Sequence, residues 1–187
     1  MNNERDLISQ VLAGDLHAFR TLIDQHKKLV MHMIGRLVKS EEDKEELCQD
    51  VFIRVYNKLE SFSFNSKLST WIATIAYRYA INHIRKNKIA YTDISDNIDS
   101  NSNFISDQNT EASFEEQDLD NYVLKLVDQL PAQYKIILTL YHLEGMTYPE
   151  ICQITDMPEG TVKNYLFRAR TMLKEKVKKH LGKEELL

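Results

Sequence analysis

Glycine and proline are scarce, at five and three residues in a chain of 187. This excludes a collagen-like chain and argues against a β-rich one, because many short strands need turn residues at close intervals. No apolar run approaches the roughly 18 residues that would mark a membrane-spanning helix. The N-terminal MNNERDLISQ lacks the charged-then-apolar layout of a secretory leader, so the expected location is cytoplasmic. Only two cysteines occur, Cys48 and Cys152, each within an apolar helical pattern that suits a small buried side chain. Neither a disulfide nor a metal site is expected from them. The six histidines do not pair with cysteine or with one another at ligand spacing. No Ser, Tyr or carboxylate cluster is arranged as a nucleophile with a partner base, so no catalytic residue, metal or cofactor is assigned.

What the chain does have is helical periodicity and an uneven distribution of charge. Apolar residues make up 43% of it, enough for one large domain or two small ones, and the formal net charge is −4. Between Lys88 and Lys125 there is no Lys or Arg, yet nine acids occur: Asp93, Asp96, Asp99, Asp107, Glu111, Glu115, Glu116, Asp118 and Asp120. That segment carries −9 and leaves +3 on residues 1–88 and +2 on residues 125–187. Its core, TDISDNIDSNSNFISDQNTEAS, is rich in Asn, Asp and Ser and too poor in apolar side chains to build a core. The expected fold is all-α, with two small helical domains over 1–90 and 118–187. A flexible acidic linker over 91–117 joins them.

In the first block, residues 4–13 and 15–38 have helical spacing, with Phe19, Leu22, Ile23, Leu29, Val30, Met33, Ile34 and Leu37 in one stripe. Ser40 followed by Asp43 has the form of a capping box and opens a helix over about Glu41–Leu59. At 100° per residue, Leu47, Cys48, Val51, Phe52, Val55 and Leu59 gather on one side. Glu46, Gln49, Asp50, Ile53 and Asn57 gather on the other. A single exposed Ile needs no explanation, but an apolar anchor ringed by carboxylates also suits docking against a basic partner helix.

After the loop SFSFNSKLS a helix is expected from about Thr70 to Lys86. Ile72, Ile75, Ala76, Tyr79 and His83 form its buried stripe, and Thr74, Arg78 and Arg85 line the far side. No acid falls between Glu60 and Asp93. This basic face adjoins an aromatic-rich loop, with Phe62, Phe64, Asn65, Ser66, Lys67 and Ser69 followed by Thr70 and Trp71. Cations that follow a phosphate backbone, beside aromatic faces on which unstacked bases can lie, suit capture of a single strand. Aromatic side chains in such a pattern are also common core material, Trp71 above all.

In the second block, Thr147 and Glu150 form a capping box for the short helix YPEICQIT, with Pro149 tolerated in its first turn. The tight DMPEG segment leads into a second helix, which makes a helix-turn-helix. Val162, Leu166, Ala169 and Leu173 share one stripe and are expected to pack on the first helix. Lys163, Asn164, Phe167, Arg168 and Thr171 are left outward on the helix from Thr161, with Arg170 and Lys174 at the flank. Arg and Lys pair with guanine edges or phosphates, Asn reads adenine, and an outward Phe can press on a thymine methyl. A recognition helix places such residues in the major groove.

Three segments in order resemble a known family: DKEELCQDVFIRVYNKLESF, STWIATIAYRYAINHIRK and LPAQYKIILTLYHLEGMTYPEICQITDMPEGTVKNYLFRARTML. They look like the polymerase-docking helix, the promoter-melting segment and the upstream-element reader of an extracytoplasmic-function (ECF) sigma factor. The resemblance implies a region-2-like domain over 1–90 and a region-4-like domain over 118–187. It further implies binding to the clamp helices and flap of bacterial RNA polymerase core, to promoter DNA, and to a cognate anti-sigma factor. Two positions depart from the family pattern. Arg78 stands where Asn is frequent, and Asp156 stands where Gly is frequent, a left-handed turn position that Asp tolerates better than most residues. The rival from another class is a stand-alone helix-turn-helix regulator, which would bind duplex DNA stably without a polymerase. A helical adaptor that binds only protein would account for the face around Ile53 alone.

Overall fold

The computed structural model describes residues 2–92 and 116–184, with side chains over 4–86 and 122–178. Most of the expected linker, residues 93–115, lies outside the described residues. Among the described residues there is no strand.

The first group of helices comprises α1 (Asn2–Leu12), α2 (Leu16–Leu37), α3 (Glu41–Lys58) and α4 (Leu68–Thr92). Gly14, at φ +90°, makes the left-handed step from α1 to α2 that a side chain would resist. Asp15 then caps α2, its Oδ1 accepting from the amides of His17 at 2.8 Å and Ala18 at 3.2 Å. Ser40 caps α3 by accepting from the Asp43 amide at 3.2 Å. Caps of this kind contribute about 1 kcal/mol each. A short 3₁₀ turn, Leu59–Ser61, closes α3 one residue short of its expected end. Helix α4 begins two residues before the expected Thr70 and runs past the expected Lys86, because nothing in YAINHIRKNKIAYT breaks a helix.

The second group comprises α5 (Glu116–Asp128), α6 (Ala132–Leu138), α7 (Tyr148–Thr155) and α8 (Glu159–Glu184). Pro131 stands at the N-cap of α6, where its missing N–H leaves no orphan donor. A π turn, Thr139–Leu143, extends α6, with the Glu144 amide bonded to the Thr139 carbonyl at 3.1 Å. Gly145 at φ +62° ends it, and the Met146 amide returns to the Leu140 carbonyl at 2.9 Å. Both halves of the Thr147–Glu150 capping box open α7. Asp156 closes α7 at φ 59°, ψ 30°, the left-handed conformation expected there. Helix α8 starts at Glu159, two residues before Thr161.

Burial follows the centres of the expected stripes, whereas Phe19, Ile23, Leu37, Ile75, Tyr79, His83 and Leu173 at their margins are half-buried. Leu22, Val30, Met33 and Ile34 of α2, Val51 and Val55 of α3, and Leu68, Ile72 and Ala76 of α4 are all wholly buried. In the second group Ile136, Ile137, Leu140, Ile151, Val162, Leu166 and Ala169 are buried to within 1%. Each large side chain among them contributes about 1.5–3 kcal/mol by leaving water. The two groups meet. Helix α4 packs on α7 and α2 on α6, so that one continuous apolar core runs through both.

Candidate nucleic-acid interface

The outward row of α8 stands free of that core. Phe167 is 69% exposed although its neighbour Leu166 is 1% exposed, which is a one-residue step around the helix. Lys163, Asn164, Arg168, Arg170, Thr171 and Lys174 are exposed with it, and Thr161 is half-buried. Lys163 pairs with Glu159 at 2.6 Å and lies 5.4 Å from the centre of the Tyr148 ring. The Glu159 carboxylate holds the Lys163 ammonium above its ordinary pKa. Thr171 donates back to the Phe167 carbonyl at 3.1 Å, a bond within its own helix that uses no side-chain partner. Arg170 is engaged otherwise: its Nε donates to Nε2 of His142 at 3.1 Å and its guanidinium lies 5.3 Å from the Tyr141 ring centre. Burial first, and then Arg170, hold the His142 imidazole below its ordinary pKa, which keeps it an acceptor. Arg170 therefore braces the π turn against α8, on the flank of the exposed row.

The loop between α3 and α4 is organised by an aromatic ladder. Phe64, Phe62 and Trp71 follow one another with ring centres 4.7 Å and 5.4 Å apart. Phe62 is buried and anchors the ladder in the core, while Phe64 is 40% exposed at its outer end. Phe64 adopts φ +57°, a conformation that costs a residue with a Cβ about 1–2 kcal/mol and is kept only where the surroundings impose it. The guanidinium of Arg5, from α1, lies over the Phe64 ring 4.8 Å from its centre. Arg5 was not legible as a site residue, because it sits between Glu4 and Asp6 in an ordinary helical turn. Asn65 donates to the Ser63 hydroxyl at 2.9 Å and stays exposed; Ser66 and Ser69 are half-buried.

Farther along, the structure separates the expected contacts. Arg78 and Arg85 are exposed on α4, and Thr74 is half-buried with its hydroxyl bonded to the Thr70 carbonyl at 2.9 Å. Thr70 itself is fully buried. Its hydroxyl, together with the Lys67 ammonium, faces Glu150 of α7: Lys67 Nζ to Glu150 Oε1 is 2.9 Å and Thr70 Oγ1 to the same oxygen 3.4 Å. Glu150 Oε2 meanwhile accepts from the Thr147 amide at 2.8 Å and from its hydroxyl at 2.7 Å. Burial alone would raise the Glu150 pKa, but the Thr147 amide and then Lys67 outweigh it and hold it at about 2. Two further pairs join the groups, His32 Nδ1 with Glu144 Oε1 and Arg36 Nη1 with Asp128 Oδ1, each at 2.6 Å. Tyr77 lies within electrostatic reach of Tyr165, and burial first, then Tyr165, push its hydroxyl pKa up.

On α3 the two faces divide as the periodicity requires. Glu46, Gln49, Asp50 and Asn57 are exposed, and Ile53 is 58% exposed between the wholly buried Val51 and Val55. A groove between α3 and α4, lined by Glu46, Asp50, Arg54, Asn82, Arg85 and Lys86, brings these carboxylates beside the cations of α4. Tyr56, one turn after Ile53, is 41% exposed and stacks edge-on against Phe19 at 4.9 Å, extending the apolar part of this face. Among the described residues no helix is long and apolar enough to cross a membrane.

Comparison with known proteins assigns both groups. Residues 22–89 match the family described as Sigma-70 region 2, and residues 120–173 match Sigma-70, region 4. The ECF RNA polymerase sigma-E factor of Haemophilus influenzae is 30% identical over 180 residues, which span 93% of this chain and 95% of that protein. The ECF RNA polymerase sigma factor SigW of Bacillus subtilis is 29% identical over 180 residues, 91% of this chain and 95% of its own. Among solved structures, the sigma factor RpoE of Bartonella quintana, crystallised with the anti-sigma factor NepR, is 25% identical. It superposes with a TM-score of 0.66, covering 86% of this chain and 96% of that one.

Proposed function

The chain belongs to the ECF family of RNA polymerase sigma factors and serves promoter-specific transcription initiation, and from that premise we propose how its faces divide the work. The α3 face of Glu46, Gln49, Asp50, Ile53 and Asn57 docks on the clamp helices of the core enzyme. The Phe64 end of the aromatic ladder, with Lys67, Trp71, Thr74, Arg78 and Arg85, holds the unpaired strand of the downstream element, conventionally minus ten. The exposed row of α8 reads the upstream, minus thirty-five, element in duplex form. The protein contributes recognition and strand capture, and the polymerase contributes the chemistry; the chain has no catalytic role of its own and works in the cytoplasm beside that enzyme. A cognate anti-sigma factor is its regulatory partner, by analogy with the complex of the Bartonella protein with NepR.

The observation that carries this reading is that a single chain presents, in order, an apolar anchor among carboxylates, an aromatic and cationic loop, and an outward cationic helix row. Phosphate contacts set register, and edge contacts or flipped bases supply sequence. The segment between α4 and α5 tethers the two DNA-contacting modules so that each raises the effective concentration of the other. Run-off transcription by core polymerase on a library of promoters, with and without this protein, tests the reading. Protein-dependent transcripts from a discrete promoter set are expected. Stable duplex binding by the free protein with no effect on core polymerase would favour the stand-alone regulator instead.

A further inference from the structure

Glu150 uses its two carboxylate oxygens in different directions. Oε2 faces its own helix and completes the cap with Thr147. Oε1 faces the first group of helices and takes Lys67 at 2.9 Å and Thr70 at 3.4 Å. Lys67 and Thr70 flank the start of α4, a helix of 25 residues. Cations and free amides at such a helix start attract anions. An ammonium, a hydroxyl and the head of a long helix form a donor set for a phosphate oxygen, and here a carboxylate fills it. We propose that Glu150 is an intramolecular competitor for a strand phosphate at Lys67 and Thr70, so that docking of α7 on α4 and capture of the single strand exclude each other. This rests on the reading that the loop before α4 receives an unpaired strand.

The competition extends beyond one side chain. Arg36 with Asp128 and His32 with Glu144 close the same seam, and α4 packs directly on α7. Thr70 is wholly buried in this arrangement with Glu150 of α7 against its hydroxyl, so a phosphate at that hydroxyl requires α7 to move away. The apparent affinity for a strand therefore falls by the fraction of molecules that are open. By reciprocity, a bound strand favours the open form and frees the α7 face for other contacts. Lys67 itself is largely exposed, so its ion pair alone is a weak clasp. The seam acts as a sum of small terms, which suits a device that has to open.

Glu150→Gln separates the two functions of the carboxylate. Its amide oxygen still accepts from Thr147, which turns the amide nitrogen, a donor, toward the donors Lys67 and Thr70. The test uses the full-length protein and a fluorescein-labelled single-stranded 12-nucleotide DNA of mixed sequence, followed by anisotropy at fixed low salt. The expected result is a roughly three- to tenfold tighter complex for Glu150→Gln. That gain should vanish when Lys67→Gln is also present. A merely electrostatic benefit of one lost negative charge would survive in the double mutant and would overturn the proposal. Solution scattering on the wild type should show expansion on saturation with the strand; tight binding with no expansion would also overturn it. Equal affinity of wild type and Glu150→Gln, with Lys67→Gln weaker than both, refutes the competition and leaves strand capture standing. Lys67→Gln binding as well as wild type refutes both. If circular dichroism shows that Glu150→Gln is unfolded, Asp128→Asn opens the seam from its exposed edge, and failure of that variant to tighten binding refutes the proposal.

Discussion

Ile53 offers the sharpest separation of folding from function. Its side chain is 58% exposed, while Val51 and Val55, two residues to either side, are wholly buried. Replacing it by Glu removes little that folding uses, and a surface substitution of this kind changes stability by about 0.5 kcal/mol or less. Docking is different. Fully burying an Ile is worth about 1.5–3 kcal/mol, and the partner has rather more than half of that left to bury, about 1–2 kcal/mol. Ile53→Ala should therefore weaken core-enzyme binding by roughly five- to thirtyfold. Ile53→Glu adds a charge that the interface must desolvate beside Glu46 and Asp50, a penalty of several kcal/mol that removes binding from the measurable range. Size-exclusion chromatography with core polymerase, together with a urea unfolding curve of each variant, separates the two effects. Co-elution of a folded Ile53→Glu variant with the core enzyme would refute the docking assignment.

Other expectations follow from the same geometry. Arg168→Ala should cost about 1–3 kcal/mol at one upstream position, or weaken all sequences alike and lower the salt slope by about one unit. Arg78→Ala should instead impair open-complex formation on duplex promoters and be partly rescued by a template already unpaired downstream; permanganate footprinting on both templates distinguishes the two. Thr139 is 1% exposed and its hydroxyl has no hydrogen-bond partner among the described residues. Thr139→Val should therefore raise stability by about 1 kcal/mol in urea unfolding. Glu150 has its pKa depressed to about 2 from an ordinary 4.5. Its ionised form therefore favours the folded state above about pH 4.5, and this contribution is lost as pH falls toward 2. The difference in melting temperature between wild type and Glu150→Gln should be constant from pH 7 to 5 and close between those two lower values.

Much of this was legible in the sequence wherever it depends on local periodicity. The inward and outward faces of α3 and α8 and the Thr147 cap are each set by residues within about four positions of one another, while the left-handed turn at Asp156 is implied by the family resemblance. Helix α4 exceeds its expected bounds because Leu68 and Ser69 follow a loop without a strong capping signal and nothing after Lys86 breaks the helix. The pattern marks Phe62 and Thr70 as loop and helix-start contacts, whereas both are buried, Phe62 between Phe64 and Trp71 and Thr70 against a residue from elsewhere in the chain. For Thr70 that residue is Glu150, which is 80 residues away in sequence. The local pattern marks Glu150 only as a capping partner, and that role hides its second oxygen. The seam between the two groups depends on pairs such as Arg36 with Asp128, 92 residues apart, for which periodicity gives no signal. The contact of Arg5 with Phe64 is non-local in the same way.

The π turn at Thr139–Leu143 carries a consequence for how this chain is cut and recombined. Such a turn is what one surplus residue leaves when a helix absorbs it in place of a loop. Deleting a residue there would restore ordinary pitch and leave both sides near their present phase, whereas a deletion in the regular turns of α6 would rotate everything on one side by about 100° relative to the other. Ile136 and Ile137 would then leave the core, or Tyr141 and His142 would part from Arg170. Where a relative is one residue shorter in this stretch, the alignment gap belongs inside the helix. A chimera that exchanges residues 120–173 as a block keeps the bulge with its partners, whereas a junction at Thr139 splits the π turn from the α6 turns that lead into it.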